Sequence, residues 1–216
     1  MVKAVTLRKN GSRVIAERAG IAAMPDGAVS EGAVLDPAAA ATAIGRFCRQ
    51  QGLGGRRVAV AAAGEDVVIL RLKLARAETE SLRAQLPEEI ALQLPFPVGQ
   101  ATVDFQVLDD LPQSEWVQAL VVAAKREKVE RLRETVARAG KTAVVVDATA
   151  CALSNVFEFN YEPPGSEISA LLDLGATTVT VCVVRGATPL LARHLRLACT
   201  PLTEQEWNLA DRIAAQ

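Results

Sequence analysis

The sequence predicts an α/β protein in which mixed sheets are flanked by helices. Near the N-terminus, Asn10-Gly11 separates extended runs at residues 2–7 and 13–19, which is a strong short-range signal for a β-hairpin. Residues 125–139 carry apolar side chains at helical spacing and are followed by a glycine. Residues 168–197 contain three strand-like runs joined by glycine turns. Strand and helix signals therefore occur together in one chain.

The composition is that of a folded protein without a nucleic-acid footprint. Half of the 216 residues are apolar and 23% are charged. The 24 basic residues are balanced by 25 acidic ones, whereas a nucleic-acid-binding protein gathers a basic surplus on one face. Four scattered cysteines lack metal-site spacing, and His194 is the single histidine. Because Cys151 and Cys182 lie in apolar runs, we expect buried, reduced thiols there.

No segment predicts insertion into a membrane. The first residues lack the long apolar stretch of a signal peptide, and no run reaches the length of a membrane span. We therefore expect a cytoplasmic protein that reaches a membrane only through a partner.

The first helix is predicted to begin at Pro37, with Asp36 as its cap, and to run to about Gln51. The preceding loop, residues 20–37, is rich in turn-forming residues and has room for one short strand. The continuous apolar run at residues 57–63 predicts a buried strand.

A second helix is predicted around a proline. Leu82, Leu86, Ile90 and Leu94 recur every four residues, which is typical of one face of a helix. Pro87 lies inside this run, where it removes a backbone hydrogen bond and crowds the preceding turn. We therefore expect a kink or two short helices.

The other elements follow from apolar runs and the turns between them. Strands are predicted at residues 67–74, 103–108, 116–124, 143–146 (buried), 168–172, 178–184 and 190–197, and helices at residues 125–139, 148–157 and 203–214. Residues 161–165, rich in proline and glycine, mark the clearest boundary. We therefore expect the chain to divide there.

The turn at residues 173–178 has the composition of a phosphate-facing loop. Asp173 can hold a hydrated divalent cation, and Gly175 allows the backbone to approach a ligand closely. Thr177 and Thr178 offer amides and hydroxyls to phosphate oxygens. Taken alone, Asp-x-Gly is also typical of an ordinary hairpin turn, and that simpler interpretation is favoured.

A second aspartate at a strand end favours the phosphate-facing loop over the ordinary hairpin turn. Val144, Val145 and Val146 lead into Asp147, and an alanine-rich helix follows. With Asp173-Leu174-Gly175, this pair resembles the connecting and second phosphate motifs of the actin-like superfamily of ATPases and sugar kinases. Within that superfamily the chain resembles the PilM family of type IV pilus assembly proteins, relatives of the cell-division protein FtsA. Further matching segments follow in order at residues 2–7, 72–74, 94–97, 103–107, 121–127 and 139–140.

The resemblance implies an actin-like (ribonuclease H-like) α/β fold with an inserted α+β subdomain. The first actin-like subdomain would span residues 1–160, with the insertion at about 67–120, and an incomplete second one would span residues 166–216. It implies ATP and Mg²⁺ as ligands, with Asp147 and Asp173 at the metal. The cofactor-binding residues would be Asp147, Asp173, Gly175, Ala176, Thr177, Thr178 and Lys3.

The family pattern is not matched at either end. The family's first phosphate loop, Asp-x-Gly-Ser-Ser, precedes the segment that matches Val2-Lys3, and a further subdomain follows the segment that matches the C-terminal part. We therefore expect nucleotide binding to be weak or absent and expect no hydrolysis, since one half of the phosphate clamp would be missing. We assign no catalytic residue.

The function implied by the resemblance is assembly. The chain would be a cytoplasmic scaffold that binds the N-terminal cytoplasmic tail of an inner-membrane PilN-like partner. Two alternatives stay open: an actin-like ATPase or small-molecule kinase fragment that binds Mg-ATP, and a related secretion-system scaffold with no nucleotide. The sequence identifies no residues of the partner groove.

Overall fold

A computed structural model of the protein describes residues 1–11, 13–109, 114–175 and 178–196. The strands in this part of the chain are β1 (Val2–Asn10), β2 (Arg13–Ala22), β3 (Val29–Ser30), β4 (Ala33–Val34), β5 (Arg57–Ala62), β6 (Val67–Ala75), β7 (Ala101–Asp109), β8 (Trp116–Lys125), β9 (Thr142–Ala148), β10 (Ile168–Leu174), β11 (Thr178–Arg185) and β12 (Thr188–Arg196). The helices are α1 (Pro37–Gln50), α2 (Thr79–Ile90), α3 (Arg126–Arg138) and α4 (Thr149–Tyr161), with a 3-10 turn at Val98–Gln100. Ala176, Thr177, Cys199 and the predicted helix at residues 203–214 lie outside the described residues.

The strands pair into antiparallel and parallel sheets, so the predicted α/β class with mixed sheets is confirmed. β1–β2 and β3–β4 are antiparallel pairs, and β5–β9 is a parallel pair. Two antiparallel sheets of three strands have the orders β6-β8-β7 and β10-β11-β12. The short β3–β4 pair occupies the loop in which one short strand was expected.

Helix α1 begins where the cap signal predicts. The Asp36 carboxylate accepts hydrogen bonds from the Ala38 and Ala39 amides at 2.9 and 3.0 Å. Pro37 occupies the first turn, where its missing N–H costs no helical hydrogen bond.

The prediction of two short helices around Pro87 is wrong, and the alternative of a kink stays a prediction. Helix α2 continues through Pro87 as one element and ends at Ile90, so Leu94 lies beyond it. Leu82, Leu86 and Ile90 are all almost completely buried in one cluster. Burial of this face offsets the cost of the proline, which removes only one hydrogen bond near the helix end.

The sheet β6-β8-β7 contains the residues of the predicted insertion, and we call it the inserted sheet. Its central strand, β8, is buried on both faces. Val117, Ala119, Val121 and Ala123 pack in the cluster with α2. The alternate residues Leu120 and Ala124 belong to a second cluster on the opposite face. Because successive side chains of a strand point to opposite faces, β8 joins two separate cores.

The second cluster connects the inserted sheet to the rest of the protein. It contains Cys182 and Val184 of β11, Ala148 at the end of β9 and Ala150 of α4, all buried. Cys182 is buried as predicted, whereas Cys151 is only half-buried, and both thiols are free.

The predictions of fully buried strands at residues 57–63 and 143–146 are wrong. Val144 and Val145 are exposed, and β5 alternates between exposed and more buried residues until Ala62. In the described part of the chain, β5 and β9 form a two-stranded sheet with α3 packed against it. An apolar run therefore indicated a strand but not burial on both faces.

A buried lysine fixes α3 against the loop between β5 and β6. The Lys128 ammonium donates a hydrogen bond to the Ala63 carbonyl at 2.6 Å and lies 3.7 Å from the Asp66 carboxylate. Burial lowers the pKa of Lys128, and the Asp66 charge opposes this effect. Gly64 has φ +103°, and a Cβ there would lie 2.9 Å from the Lys128 Nζ atom, so glycine suits this close approach.

None of the helices among the described residues is both long enough and apolar enough to cross a membrane.

The α2 cluster gives a matched test of the packing. We expect Leu86→Ala to lower the free energy of unfolding by about 2–5 kcal/mol, because a side chain only 1% exposed leaves a cavity. The matched control Leu92→Ala removes a side chain that is 100% exposed and should change stability by less than about 0.5 kcal/mol. Urea unfolding measures both values, and equal effects would contradict this packing.

Candidate functional site

A cavity of about 410 Å³ lies between the inserted sheet, α4 and the turn that joins β11 to β12. We call it the α4 cavity. Its lining residues come from five elements and this turn: Asp104, Phe105, Gln106, Leu108, Leu120, Val122, Asp147, Cys151, Asn155, Glu158, Ala187, Thr188 and Pro189. A space of this size with several polar side chains is typical of a binding site.

The β7 wall of the cavity follows from alternation along the strand. Asp104, Gln106 and Leu108 line the α4 cavity. Val103 and Val107 belong to the α2 cluster on the other face. The period of two thus gives β7 one apolar face toward α2 and one largely polar face toward the cavity.

The opposite wall is one face of α4. Cys151, Asn155 and Glu158 are spaced by four and three residues, which places them on the same side of a helix. The buried Ser154 hydroxyl donates a hydrogen bond to the Ala187 carbonyl at 2.5 Å. This bond holds the turn before β12 against α4, and the turn closes the cavity there.

Asp147 is the half-buried carboxyl of the cavity. It stands at the end of β9, and its Oδ1 accepts a hydrogen bond from the Ala148 amide at 2.8 Å. Burial raises the pKa of the Asp147 carboxyl above its ordinary value of 3.8, and this hydrogen bond opposes the shift. Asp147 has no ion-pair partner within the described ranges. A positive group in the cavity would therefore stabilise its charged form.

Cys151 lies beside Asp147 but is not suited to nucleophilic chemistry. Burial, followed by the electrostatic effects of Asp147 and Cys182, raises the pKa of the Cys151 thiol to about 11. The thiol therefore stays protonated near neutral pH, and it is the thiolate that reacts.

Asp173 lies in a row of polar residues across the second three-stranded sheet. It pairs with Thr180, which pairs in turn with His194. The Thr180 Oγ1 and His194 Nδ1 atoms are 3.1 Å apart. The His194 Nε2 atom is buried and has no hydrogen-bond partner among residues that the structure describes. Burial and the positive charge of Lys128 lower the pKa of His194, whereas Asp173 raises it.

Gly175 follows the end of β10 and pairs with Thr178 at the start of β11. Its amide donates a hydrogen bond to the Thr178 carbonyl at 2.9 Å. A Cβ on Gly175 would lie 2.8 Å from that oxygen, so a side chain would force the turn to shift. The predicted phosphate ligands Ala176 and Thr177 fall outside the described residues.

Lys3 lies on exposed β1, in a shallow depression of the β1–β2 hairpin formed with Val5 and Ile21. Of the sequence-predicted site residues, Asp147 lines the α4 cavity, whereas Asp173, Gly175 and Lys3 do not. Within the described residues, no three His, Cys, Asp or Glu side chains are grouped closely enough to hold a metal ion. The assignment of these residues to a nucleotide site stays a prediction.

Sequence reasoning missed most of the cavity. The signals were present, since Asp104 and Gln106 alternate with apolar residues, and Asn155 and Glu158 share a helical face. Neither signal shows that β7 and α4 face each other.

Comparison with known proteins found a family that matches the chain. The family model for the type IV pilus assembly protein PilM matches residues 1–209. Among solved structures, the chain is similar to the PilM-PilN type IV pilus biogenesis complex, with a TM-score of 0.80 and 24% sequence identity over 99% of this chain and 61% of that one.

A second solved structure has a more distant likeness. It is the cytoplasmic domain of EpsL, an inner membrane component of the type II secretion system of Vibrio cholerae. The TM-score is 0.51 at 16% identity, over 78% of this chain and 60% of that chain. The chain thus spans about three fifths of the length of both matched chains.

The raised pKa of Asp147 predicts the sign of a pH effect. The folded state holds this proton more tightly than the unfolded state, so the contribution of Asp147 to stability falls as pH rises from about 3.8 through the folded pKa. Asn is neutral and keeps the oxygen that accepts from Ala148. We expect Asp147→Asn to raise the melting temperature at about pH 7 and to lose this advantage at about pH 3.

The exposed carboxyl of Asp26, in the loop between β2 and β3, provides the control variant Asp26→Asn. Calorimetry at both pH values makes the comparison. A clear loss of stability in Asp147→Asn at neutral pH would contradict the burial argument.

Proposed function

The chain belongs to the PilM family of type IV pilus assembly proteins, and from this premise we propose that it is a cytoplasmic scaffold component of pilus assembly. It binds the N-terminal cytoplasmic tail of an inner-membrane PilN-like protein. It is thereby peripheral to the inner membrane, reaching it through this partner. The matched PilM-PilN complex supports the choice of partner.

The observation that carries the proposal is the position of the α4 cavity. It is enclosed by the inserted sheet on one side and by α4 on the other, with the turn before β12 at its end. A segment bound there contacts elements that are far apart in the chain. Such a site suits a protein that joins components, because the bound tail and the fold hold each other in one arrangement.

The polar lining provides specificity for a peptide. Gln106 and Asn155 each offer an amide group, and Thr188 offers a hydroxyl. These groups can satisfy the main-chain donors and acceptors of an extended tail, while Leu108, Leu120 and Val122 contact apolar side chains.

A bulky residue on the α4 wall tests this location. We expect Asn155→Trp to weaken binding of a PilN-like N-terminal peptide at least tenfold, about 1.4 kcal/mol, because the indole fills the space that the tail needs. Fluorescence anisotropy with a labelled peptide measures the dissociation constant.

The matched control is Asn160→Trp. Asn160 is on the same helix and exposed, and it is not among the residues that line the α4 cavity. This variant should bind like the unmodified protein. Equal binding by both variants, with unchanged circular dichroism, would show that the tail binds elsewhere.

A second candidate function is nucleotide binding, with Mg-ATP held near Asp173. The close approach of Gly175 to Thr178, two residues after Asp173, supports it, since glycine lets main-chain amides approach phosphate oxygens. The competing proposal is a related secretion-system scaffold that binds no nucleotide.

Thermal unfolding separates these two. If Mg-ATP binds, a concentration of about 100 times its dissociation constant should add about 2.7 kcal/mol to the free energy of unfolding. Asp173→Ala should abolish that gain. An unchanged melting temperature with saturating Mg-ATP would favour the scaffold without nucleotide.

A further inference from the structure

One end of the molecule gathers six basic side chains. Helix α1 leads to the start of β5, helix α3 leads to the start of β9, and these two strands are parallel. Since α1 and α3 also pack against each other, both helices end at the edge where β5 and β9 begin. We call this edge the basic end, and its basic residues are Arg18, Arg46, Arg49, Arg56, Arg57 and Lys141.

The loop between α1 and β5, residues 51–56, brings these groups together. The Lys141 ammonium, which follows α3, donates hydrogen bonds to the Leu53 and Gly55 carbonyls at 2.6 and 2.7 Å. The Thr142 amide donates to the Arg56 carbonyl at 2.7 Å. These three bonds fix the loop beside the start of β9.

The arginines of β2 and α1 lie around the same loop. A Cβ on Gly52 would lie 2.8 Å from the Arg18 Nη1 atom, so this guanidinium lies against the loop. A Cβ on Gly45 would lie 3.4 Å from the Arg49 Nη1 atom and 3.7 Å from the carbonyl oxygen that follows α3. Arg46 precedes Arg49 by three residues and therefore shares its side of the helix.

The charge of the basic end is not compensated. Residues 37–64 contain no aspartate or glutamate, and neither do residues 135–146. None of the six basic residues has an ion pair within the described part of the chain. The carbonyls that accept from Lys141 carry no net charge, and the dipole at the end of α1 offsets only about half of one charge. Several positive charges are thus concentrated on a protein whose net charge is −1.

The basic end presents exposed cations on an outer edge of the fold. Its five arginines are exposed, and none of its six basic residues lines the α4 cavity or the depression at Lys3. The α4 cavity is at the other end of β9, since Asp147 is roughly 17 Å along the strand from Thr142. Long arginine side chains on such an edge can reach a flat array of anionic groups without a groove.

We propose that the basic end binds the anionic phosphate headgroups of a membrane surface. This is a further function of the chain, because the scaffold proposed above reaches the membrane through its partner alone. The lipid contact itself does not depend on that scaffold function. Where the partner holds the chain near a bilayer, the local concentration of headgroups is high, so a modest attraction is enough to orient the chain.

The number and setting of the charges favour lipid over other anionic partners. Clusters of about four to eight basic residues are typical of binding to anionic lipid surfaces. Binding of single-stranded nucleic acid also uses exposed aromatic rings, whereas Phe47, the one aromatic residue of residues 37–64, is 2% exposed. An acidic protein segment is the other partner of suitable charge, and the test includes it.

The test measures sedimentation of the full chain with sucrose-loaded vesicles. One set of vesicles contains the anionic lipid phosphatidylglycerol, and the other consists of zwitterionic phosphatidylcholine alone. The variant is Arg56→Gln/Arg57→Gln. The matched control, Arg71→Gln/Lys73→Gln, removes the same charge from exposed positions of β6 in the inserted sheet. Soluble polyglutamate and inorganic phosphate serve as competing anions.

We expect the unmodified chain to bind the anionic vesicles at about 0.1 M salt and to leave them at about 1 M, where the Debye length falls from about 10 to about 3 Å. It should not bind phosphatidylcholine. Arg56→Gln/Arg57→Gln should lower the partition coefficient about tenfold or more, because each basic residue near such a surface contributes roughly fivefold. The control should bind like the unmodified chain.

Thermal unfolding separates lipid binding from a structural role. Removing two like charges from the basic end relieves their repulsion, so Arg56→Gln/Arg57→Gln should melt at the same temperature as the unmodified chain or higher. A lower melting temperature together with unchanged vesicle binding would show that these arginines serve the fold and would contradict the proposal.

Three further results would overturn the proposal. The first is absence of binding to anionic vesicles, including the case in which polyglutamate binds and indicates an acidic protein segment instead. The second is an equal loss of binding in both double variants, because the location of the charges would then not matter. The third is displacement by inorganic phosphate beyond that by chloride at equal ionic strength, which would indicate a site for the free ion.

Discussion

The structure depends on the two-sided burial of β8. Its odd-numbered residues from Val117 to Ala123 pack on α2, and Leu120 and Ala124 pack on the core that contains β11 and the start of α4. A one-residue shift of register would exchange these faces and place each set of side chains in the core that does not fit it. The strand therefore fixes the inserted sheet relative to the rest of the protein. Burial of apolar surface in both cores stabilises this arrangement.

The position of the α4 cavity follows from this constraint. With β8 held on both sides, its neighbour β7 lies opposite α4, and the Ser154 hydroxyl keeps the turn at Ala187 in place. The wall that β7 contributes is largely polar. It carries the Asp104 carboxylate, and Asp147 of β9 and Glu158 of α4 add two more carboxylates to the cavity. The same packing that stabilises the fold thus places the carboxylates of Asp104, Asp147 and Glu158 around one cavity.

Local signals predicted the elements well, because caps, turns and periodicity act over a few residues. Asp36 and Pro37 gave the start of α1, and Asn10-Gly11 gave the first hairpin. The errors arose where contacts with residues distant in the chain determine the structure. Pro87 is tolerated because the Leu82, Leu86 and Ile90 face is buried by β6 and β8. Val144 and Val145 are both exposed, and Val144 lies at the register shift between β5 and β9, which the apolar run does not reveal.

The sequence by itself determined the order of strands and helices, the mixed α/β class and the family resemblance, since these depend on residue patterns along the chain. It also singled out Asp147 as a strand-end carboxylate. Only the tertiary structure decided that Asp147 shares a cavity with Asp104, Asn155 and Thr188. Those residues are separated by many positions in the chain, and their proximity results from the packing of β8 and β11, which no local pattern specifies.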